Sequence, residues 1–237
     1  RTHEGGLPQL QFGKSGALEK RIRERVDEYF AAGGKPRTAT YSMYIKTVVV
    51  LTAFIALYVL LVFFAETALQ GVMLSILLGF SAAGIGMNIQ HDASHGAYSK
   101  HAWVNRLGSF ALDVIGASSY VWHWKHVTFH HKYVNIPKYD SDIDMGPIAR
   151  ITPDQKRYRP HRWQQWYLWF LYSLLAVKWQ LFDDFASVIT GRVGHHRIPR
   201  PRGTDLAVFA GGKALFFSLG FIIPLLFRPP LQVLIFY

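Results

Sequence analysis

The chain has 237 residues, half of them hydrophobic, with a formal net charge of +11 and no cysteine. The absence of cysteine excludes disulfides, cysteine-ligated zinc or iron–sulfur sites and a thiol nucleophile. Lysine and arginine flank long uncharged segments, and none lies between residues 47 and 99. This partition is typical of a membrane protein that follows the positive-inside rule, and it argues against a nucleic-acid-binding protein.

Residues 1–41 are mostly polar and are predicted to form a cytoplasmic N-terminal segment. Apolar residues recur at helical spacing from Leu18 to Phe30, which predicts a short amphipathic helix. We expect this helix to pack on the cytoplasmic side of the second predicted domain, residues 42–237.

Two uncharged segments, residues 47–65 and 68–90, are each long enough to cross a hydrocarbon core as a helix. Glu66 and Thr67 separate them, which predicts an antiparallel hairpin. Small residues at 81–86 favour close contact between its two helices. The positive-inside rule places the turn outside and both ends inside.

Two further segments, residues 102–121 and 165–182, are predicted to lie at the membrane interface. The first carries Arg106 and Asp113, and the second is rich in aromatic residues and precedes a basic stretch.

A third span is predicted over residues 206–227, with Lys213 near its start snorkelling to the interface. Residues 229–237 begin another apolar segment but are too few to cross. The predicted fold class is therefore an all-α integral membrane protein. It consists of a transmembrane hairpin, a third span and the start of a fourth, with cytoplasmic and interfacial helices that carry a histidine-rich metal site.

Seven of the eleven histidines lie between residues 91 and 131. His91 and His95 are four residues apart, and His126 and His130 repeat this spacing, which places each pair on one face of a helix. His131 is rotated by about 100° from His130 on an α-helix, so the adjacent rings suit two ions better than one. Five imidazoles exceed the needs of one tetrahedral zinc, which favours a dinuclear centre, and residue type alone leaves iron and copper both open.

Other polar residues near these histidines have two interpretations each. His123 is either a ligand or an outer hydrogen-bond partner. His195 and His196 lie in an Arg-, Gly- and Pro-rich loop, which favours a solvated basic turn over a ligand role. Three carboxylates either orient ligating imidazoles or cap a helix and pair with arginines: Asp140, Asp142 and Asp144.

With these residues in view, the chain resembles the membrane fatty acid desaturases, most closely the linoleoyl-CoA-desaturase-like, front-end branch. Four stretches carry the resemblance: residues 90–96 (Gln-His-Asp-Ala-Ser-His-Gly); 118–122 (Ser-Ser-Tyr-Val-Trp) leading into 126–131 (His-Val-Thr-Phe-His-His); 133–136 (Tyr-Val-Asn-Ile); and 140–144 (Asp-Ser-Asp-Ile-Asp) with Gly146 and Pro147. The paired histidine boxes together with the aspartates are far more specific than either box alone.

The resemblance implies four spans, a cytoplasmic cap and a histidine-ligated di-iron centre. With dioxygen and two electrons, this centre would introduce a cis double bond into an acyl chain carried by coenzyme A or a lipid. Motif position gives these expected iron ligands: His91, His95, His126, His130 and His131. It gives these residues of the surrounding shell: His123, Asn135, Asp140, Asp142 and Asp144.

The family also has a third histidine box after its last span, with a further ligand histidine near that span. Neither occurs before Tyr237, so we expect the sequence to be incomplete at its C-terminal end. The His-Pro-Gly-Gly signature of a fused haem domain does not occur in these 237 residues. A separate ferredoxin- or cytochrome-type donor is therefore expected to supply the electrons.

Two alternatives stay open at this point. A related di-iron lipid hydroxylase or ketolase would use the same histidines, and only its product separates it from a desaturase. A non-catalytic metal-binding membrane protein is the second alternative, and the missing third box favours it.

Overall fold

The computed structural model describes residues 8, 10, 12–13, 16–34 and 36–236, and most of these residues are helical. The remainder of the predicted N-terminal segment, and Tyr237, lie outside the described residues. The α-helices are α1 (Ala17–Gly33), α2 (Tyr41–Val59), α3 (Ala68–Gly84), α4 (His91–Ser94), α5 (Ala102–Val114), α6 (Ser119–Trp122), α7 (His131–Tyr133), α8 (Gln164–Lys178), α9 (Asp184–Thr190), α10 (Thr204–Phe217), α11 (Ile223–Phe227) and α12 (Pro230–Phe236).

Several of these helices are joined by π-helical segments, in which the hydrogen bonds run from residue i to residue i+5. The π segments are Leu60–Phe64, Ile85–Gln90, His123–His130, Trp179–Asp183 and Ser218–Ile222. Two short 3₁₀ helices cover Ser141–Ile143 and Arg159–Trp163, and a two-stranded antiparallel ribbon pairs β1 (Arg192–Val193) with β2 (His196–Arg197).

Within the described residues, three continuous helices are long and apolar enough to cross a membrane: Tyr41–Phe64 (span 1), Ala68–Ser94 (span 2) and Thr204–Phe227 (span 3). The three predicted spans are confirmed in this sense. Interfacial placement stays a prediction for α8, whose exposed aromatic residues include Trp166 and Trp169.

Spans 1 and 2 form the predicted antiparallel hairpin. Lys46 donates to Asn88 (2.8 Å) at one end of the pair, and Ser81 donates to the Val50 carbonyl (3.1 Å) further along. The hairpin turn ends where Thr67 begins α3 with a capping box, in which its side chain and that of Gln70 satisfy each other's backbone N–H groups.

Helix α5 ends at Val114 rather than continuing to residue 121 as predicted. Gly116 follows with φ +103°, a conformation that favours glycine, and its backbone lies against the Phe216 ring. The chain then restarts as α6, whose N-terminal N–H of Val121 is capped by the Ser118 side chain. This break turns the chain toward the second group of histidines.

The amphipathic helix predicted near the N-terminus is confirmed as α1, but its expected packing is wrong. None of its residues is buried, and Leu18 and Ile22 on its apolar side are exposed.

The prediction for Lys213 is also wrong, because its side chain is buried instead of snorkelling. Its ammonium group donates to the Asp184 carboxylate (2.7 Å), the Gly116 carbonyl (2.7 Å) and the Gln180 carbonyl (3.0 Å). The same Asp184 oxygen accepts the backbone N–H of Ser118 (2.7 Å). Span 3 is therefore tied to the start of α6 through a buried ion pair.

We predict that Lys213→Met destabilises the protein by about 3–5 kcal/mol, because it leaves the Asp184 carboxylate buried without a counter-charge. Adding Asp184→Asn should recover much of this loss, since position 184 then carries no unpaired charge and an acceptor for Ser118 persists. Equilibrium unfolding of detergent-solubilised protein measures both effects.

The control is Lys178→Met, which breaks the exposed pair with Asp183. Its expected cost is below about 1 kcal/mol. Equal losses for Lys178→Met and Lys213→Met would contradict the structural role of the buried pair.

Candidate metal centre

A π-helical segment lies at each group of histidines. One ends at Gln90, just before His91, and the other contains His126 and His130 and ends just before His131. The N–H of His91 donates to the Gly86 carbonyl, and the N–H of His131 donates to the His126 carbonyl, five residues earlier in both cases. A π turn holds more residues than an α turn, so residues i, i+4 and i+5 come to share one side of the helix. His126, His130 and His131 are related in this way.

Five histidine rings from the two groups form one cluster at the end of span 2. The ring centroids of His91 and His95 are 4.7 Å apart, and His95 lies 5.5 Å from His126 and 4.6 Å from His131. His130 completes the cluster at 5.1 Å from His126. The rings from separate stretches of sequence therefore converge.

The donor atoms fit a bound cation. The Nε2 atoms of His126 and His131 lie 3.2 Å apart. Two imidazole nitrogens bound to one ion at about 2.1 Å lie roughly 3.0–3.4 Å apart at octahedral or tetrahedral angles. Ligand atoms of His91, His95 and His126 also lie within 4.8 Å of one another.

The prediction for His131 assumed 3.6 residues per turn, whereas the backbone before it is π-helical. On an α-helix His131 would face away from His126, but the π segment His123–His130 brings the two Nε2 atoms together. Whether the five rings divide between two ions stays a prediction.

A buried carboxylate orients one of the rings. Asp140 is fully buried, and both of its oxygens lie within 3.1 Å of His130 Nδ1. It also accepts the backbone N–H groups of Asn135 (2.8 Å) and Asp142 (3.0 Å). A carboxylate on one ring nitrogen fixes the tautomer that leaves the other nitrogen free for a metal.

Asp142 is a second carboxylate beside the cluster and forms a candidate metal group with His126 and His130. Its oxygen lies 3.4 Å from His130 Nδ1 and 3.8 Å from His126 Nδ1, on the ring side away from the converging Nε2 atoms of His126 and His131. This position suits an orienting role better than a ligand role. Burial raises the pKa of Asp142, but His126 and Lys125 outweigh that effect and lower it overall.

The electrostatics of the cluster favour a neutral ring at His95. Burial, and then the charges that His131, His91 and His126 would carry, lower the pKa of His95 to about 4. His95 is therefore neutral near pH 7 and keeps a lone pair for a metal.

Three other predicted residues are exposed and lie outside the cluster. His123 is exposed and its ring contacts Trp124, because three-residue spacing no longer matches the turn in a π segment. Asp144 accepts the Gly146 N–H (3.0 Å) and lies 3.8 Å from the exposed His195.

His196 is not the solvated residue that the loop composition favoured. Its ring stacks on Phe129 (4.1 Å) and on Tyr133 (5.4 Å), and its Nε2 lies 2.6 Å from the Tyr139 carbonyl oxygen. The residue thus supports the segment that holds the second histidine group. Sequence reasoning missed this because β1 and β2 are only two residues each.

A cavity of about 770 Å³ extends from the histidines into the space between the spans. It reaches from Gln90, His91 and Trp122 at one end to Glu66 and Thr67 at the hairpin turn. Its volume falls in the usual range of roughly 300–1,000 Å³ for ligand cavities.

The small residues of span 2 have two different neighbours. Gly84 packs against Val50 of span 1, as predicted for helix contact. Ala82, Ala83 and Gly86 instead line the cavity. In the sequence, Gln90 and Trp122 stand out only as parts of family motifs. Their position at the cavity end follows from the tertiary structure.

An apolar helical bundle with a histidine cluster at the end of an internal cavity defines a membrane protein with a candidate metal site. The sequence model of the family described as "Fatty acid desaturase" matches residues 67–237. The chain belongs to the fatty acid desaturase family, a family of membrane oxidoreductases of lipid metabolism.

Several curated relatives are front-end desaturases. The chain is 32% identical over 217 residues to the sn-1 linoleoyl-lipid 6-desaturase of Arthrospira platensis, covering 92% of this chain and 59% of that protein. It is 31% identical over 205 residues to the acyl-lipid (8-3)-desaturase of Physcomitrium patens, covering 86% of this chain and 43% of that protein. The chain thus spans about half of these relatives' length. No solved structure matches it.

We predict that Asp140→Asn lowers metal affinity about 10- to 100-fold, because it weakens the contact that orients His130. Metal content after competition with a chelator, measured on the natural full-length protein, gives the comparison.

The matched control is Asp144→Asn, which changes a half-exposed carboxylate. This variant should bind metal like the wild type. Equal metal retention by Asp140→Asn would contradict an orienting role for Asp140.

Proposed function

We propose that the complete protein is a membrane fatty acid desaturase that introduces a cis double bond into an acyl chain held in the cavity. The printed activities of its relatives, on linoleoyl-lipid and acyl-lipid substrates, support this proposal. The observation that carries it is the histidine cluster at one end of a cavity between the spans.

In the balanced reaction, adjacent –CH₂–CH₂– groups, dioxygen, two electrons and two protons give –CH=CH– and two waters. The chemistry that a bound pair of iron ions supplies is activation of dioxygen for removal of hydrogen from carbon. We assign metal binding to His91, His95, His126, His130 and His131.

The protein's own residues hold the reactants in place. Asp140 fixes His130 through its Nδ1 atom, and Asp142 lies beside the same nitrogen. Apolar residues of all three spans line the cavity and exclude water, which keeps an unactivated chain close to the centre.

We further propose that residues 42–237 belong to the membrane domain and that the N-terminal segment and the histidines face the cytoplasm. The charge distribution supports this orientation, because basic residues flank the start of span 1 and the end of span 2. The first histidine group lies at that end of span 2. A separate ferredoxin- or cytochrome-type protein is the proposed electron donor, and an acidic surface on it would complement the basic loops.

We predict that His95→Ala and His130→Ala each abolish new double bonds without preventing membrane insertion. Each removes one imidazole from the cluster while leaving the spans unchanged. Expression of the natural full-length protein in a desaturase-deficient host, followed by fatty-acid profiling, measures the outcome.

His101→Ala is the control, because His101 is exposed and precedes α5 outside the cluster. It should desaturate normally. Normal desaturation by His95→Ala, or one zinc and no iron in the purified protein in place of about two irons, would contradict the proposal.

A further inference from the structure

Gln90 is a buried hydrogen-bond donor without a protein partner. Its side chain is 2% exposed, and no acceptor within the described residues pairs with its Nε2 atom. Leaving such a donor unpaired is unfavourable, so a ligand that accepts its hydrogen bond gains affinity. Gln90 lines the cavity and immediately precedes His91.

The rest of the same helix face is small or apolar. Residues of span 2 at spacings of three and four line the cavity along its length: Val72, Ser75, Gly79, Ala82 and Gly86. The Ser75 hydroxyl donates a hydrogen bond to the Gly71 carbonyl (2.7 Å). An unbranched chain along this face would therefore contact mostly apolar surface, up to Gln90.

Two polar groups at the opposite end of the cavity already have protein partners. The Thr67 hydroxyl oxygen accepts the Gln70 N–H (3.2 Å), and Arg228 Nε donates to the Val62 carbonyl (2.7 Å). Gln90 differs from both groups, because it places an unpaired buried donor beside His91.

We propose that Gln90 donates a hydrogen bond to the carbonyl oxygen of the acyl group in the cavity. This inference rests on the proposed function for the identity of the occupant. An acyl ester or thioester matches the cavity because it joins an apolar chain to one strong acceptor. Gln90 then acts as a positioning residue, because a carbonyl held next to His91 places the carbons nearest to it beside the metal centre.

The first test compares binding of an ester-linked lipid and its ether-linked counterpart, which lacks the carbonyl. Displacement of a fluorescent ether lipid from the solubilised full-length protein gives both affinities, and acyl-CoA is a third competitor. The wild type should favour the ester, the thioester or both over the ether by about three- to tenfold. The stronger competitor of the two identifies the natural carrier.

Gln90→Met keeps the length of the side chain and removes the donor, so it should erase this preference while leaving ether binding unchanged. Gln165→Met, at an exposed position on α8, is the matched control and should retain the preference. Gln90→Met should also unfold at or above the wild-type temperature, since no protein hydrogen bond is lost.

A wild type that binds ester and ether equally, or a Gln90→Met variant that keeps the ester preference, would overturn the inference. A parallel loss of ester and ether binding would overturn it too, because it would assign Gln90 to an ordered water or to the fold.

The position of the double bond is a second readout. Products of Gln90→Met should spread over neighbouring positions, and one unchanged position would contradict a positioning role. The two proposals fail separately: a wild type that prefers the ester but forms no double bond refutes the desaturase proposal alone.

Discussion

The structure depends on holding the imidazole nitrogens of several histidines together at the end of an apolar hairpin. These nitrogens lose water when the rings cluster, and a bound cation would compensate this loss. The chain achieves the convergence with backbone geometry, since one π segment leads into His91 and another contains His126 and His130. The Asp140 carboxylate then fixes His130 from behind.

The buried ion pair of Lys213 and Asp184 connects span 3 to this centre. Asp184 accepts the N–H of Ser118, whose side chain caps α6, and the second histidine group follows on the continuation of that helix. A charge inside a membrane helix is expensive and is normally retained for a specific purpose. Here the ion pair links span 3 to the start of α6, and α6 leads into the segment that holds His126.

The cavity offers a place for a substrate beside the proposed metal site. Its walls come from all three spans, and it ends at His91 and Gln90. Chemistry on an unactivated carbon chain needs the chain to be held, dry and in register, beside the metal. The apolar face of span 2 supplies the first two conditions, and we assign the third to Gln90.

The sequence by itself determined the spans, the hairpin and the identity of the histidines, because hydropathy and residue type are local properties. It also indicated the carboxylates, but not that Asp140 contacts His130 while Asp144 lies apart. Spacing arguments assumed 3.6 residues per turn, so they did not foresee that His131 Nε2 lies beside His126 Nε2. Tertiary structure decided the burial of Lys213, the stacking of His196 and the position of Gln90, because each depends on neighbours from distant parts of the chain.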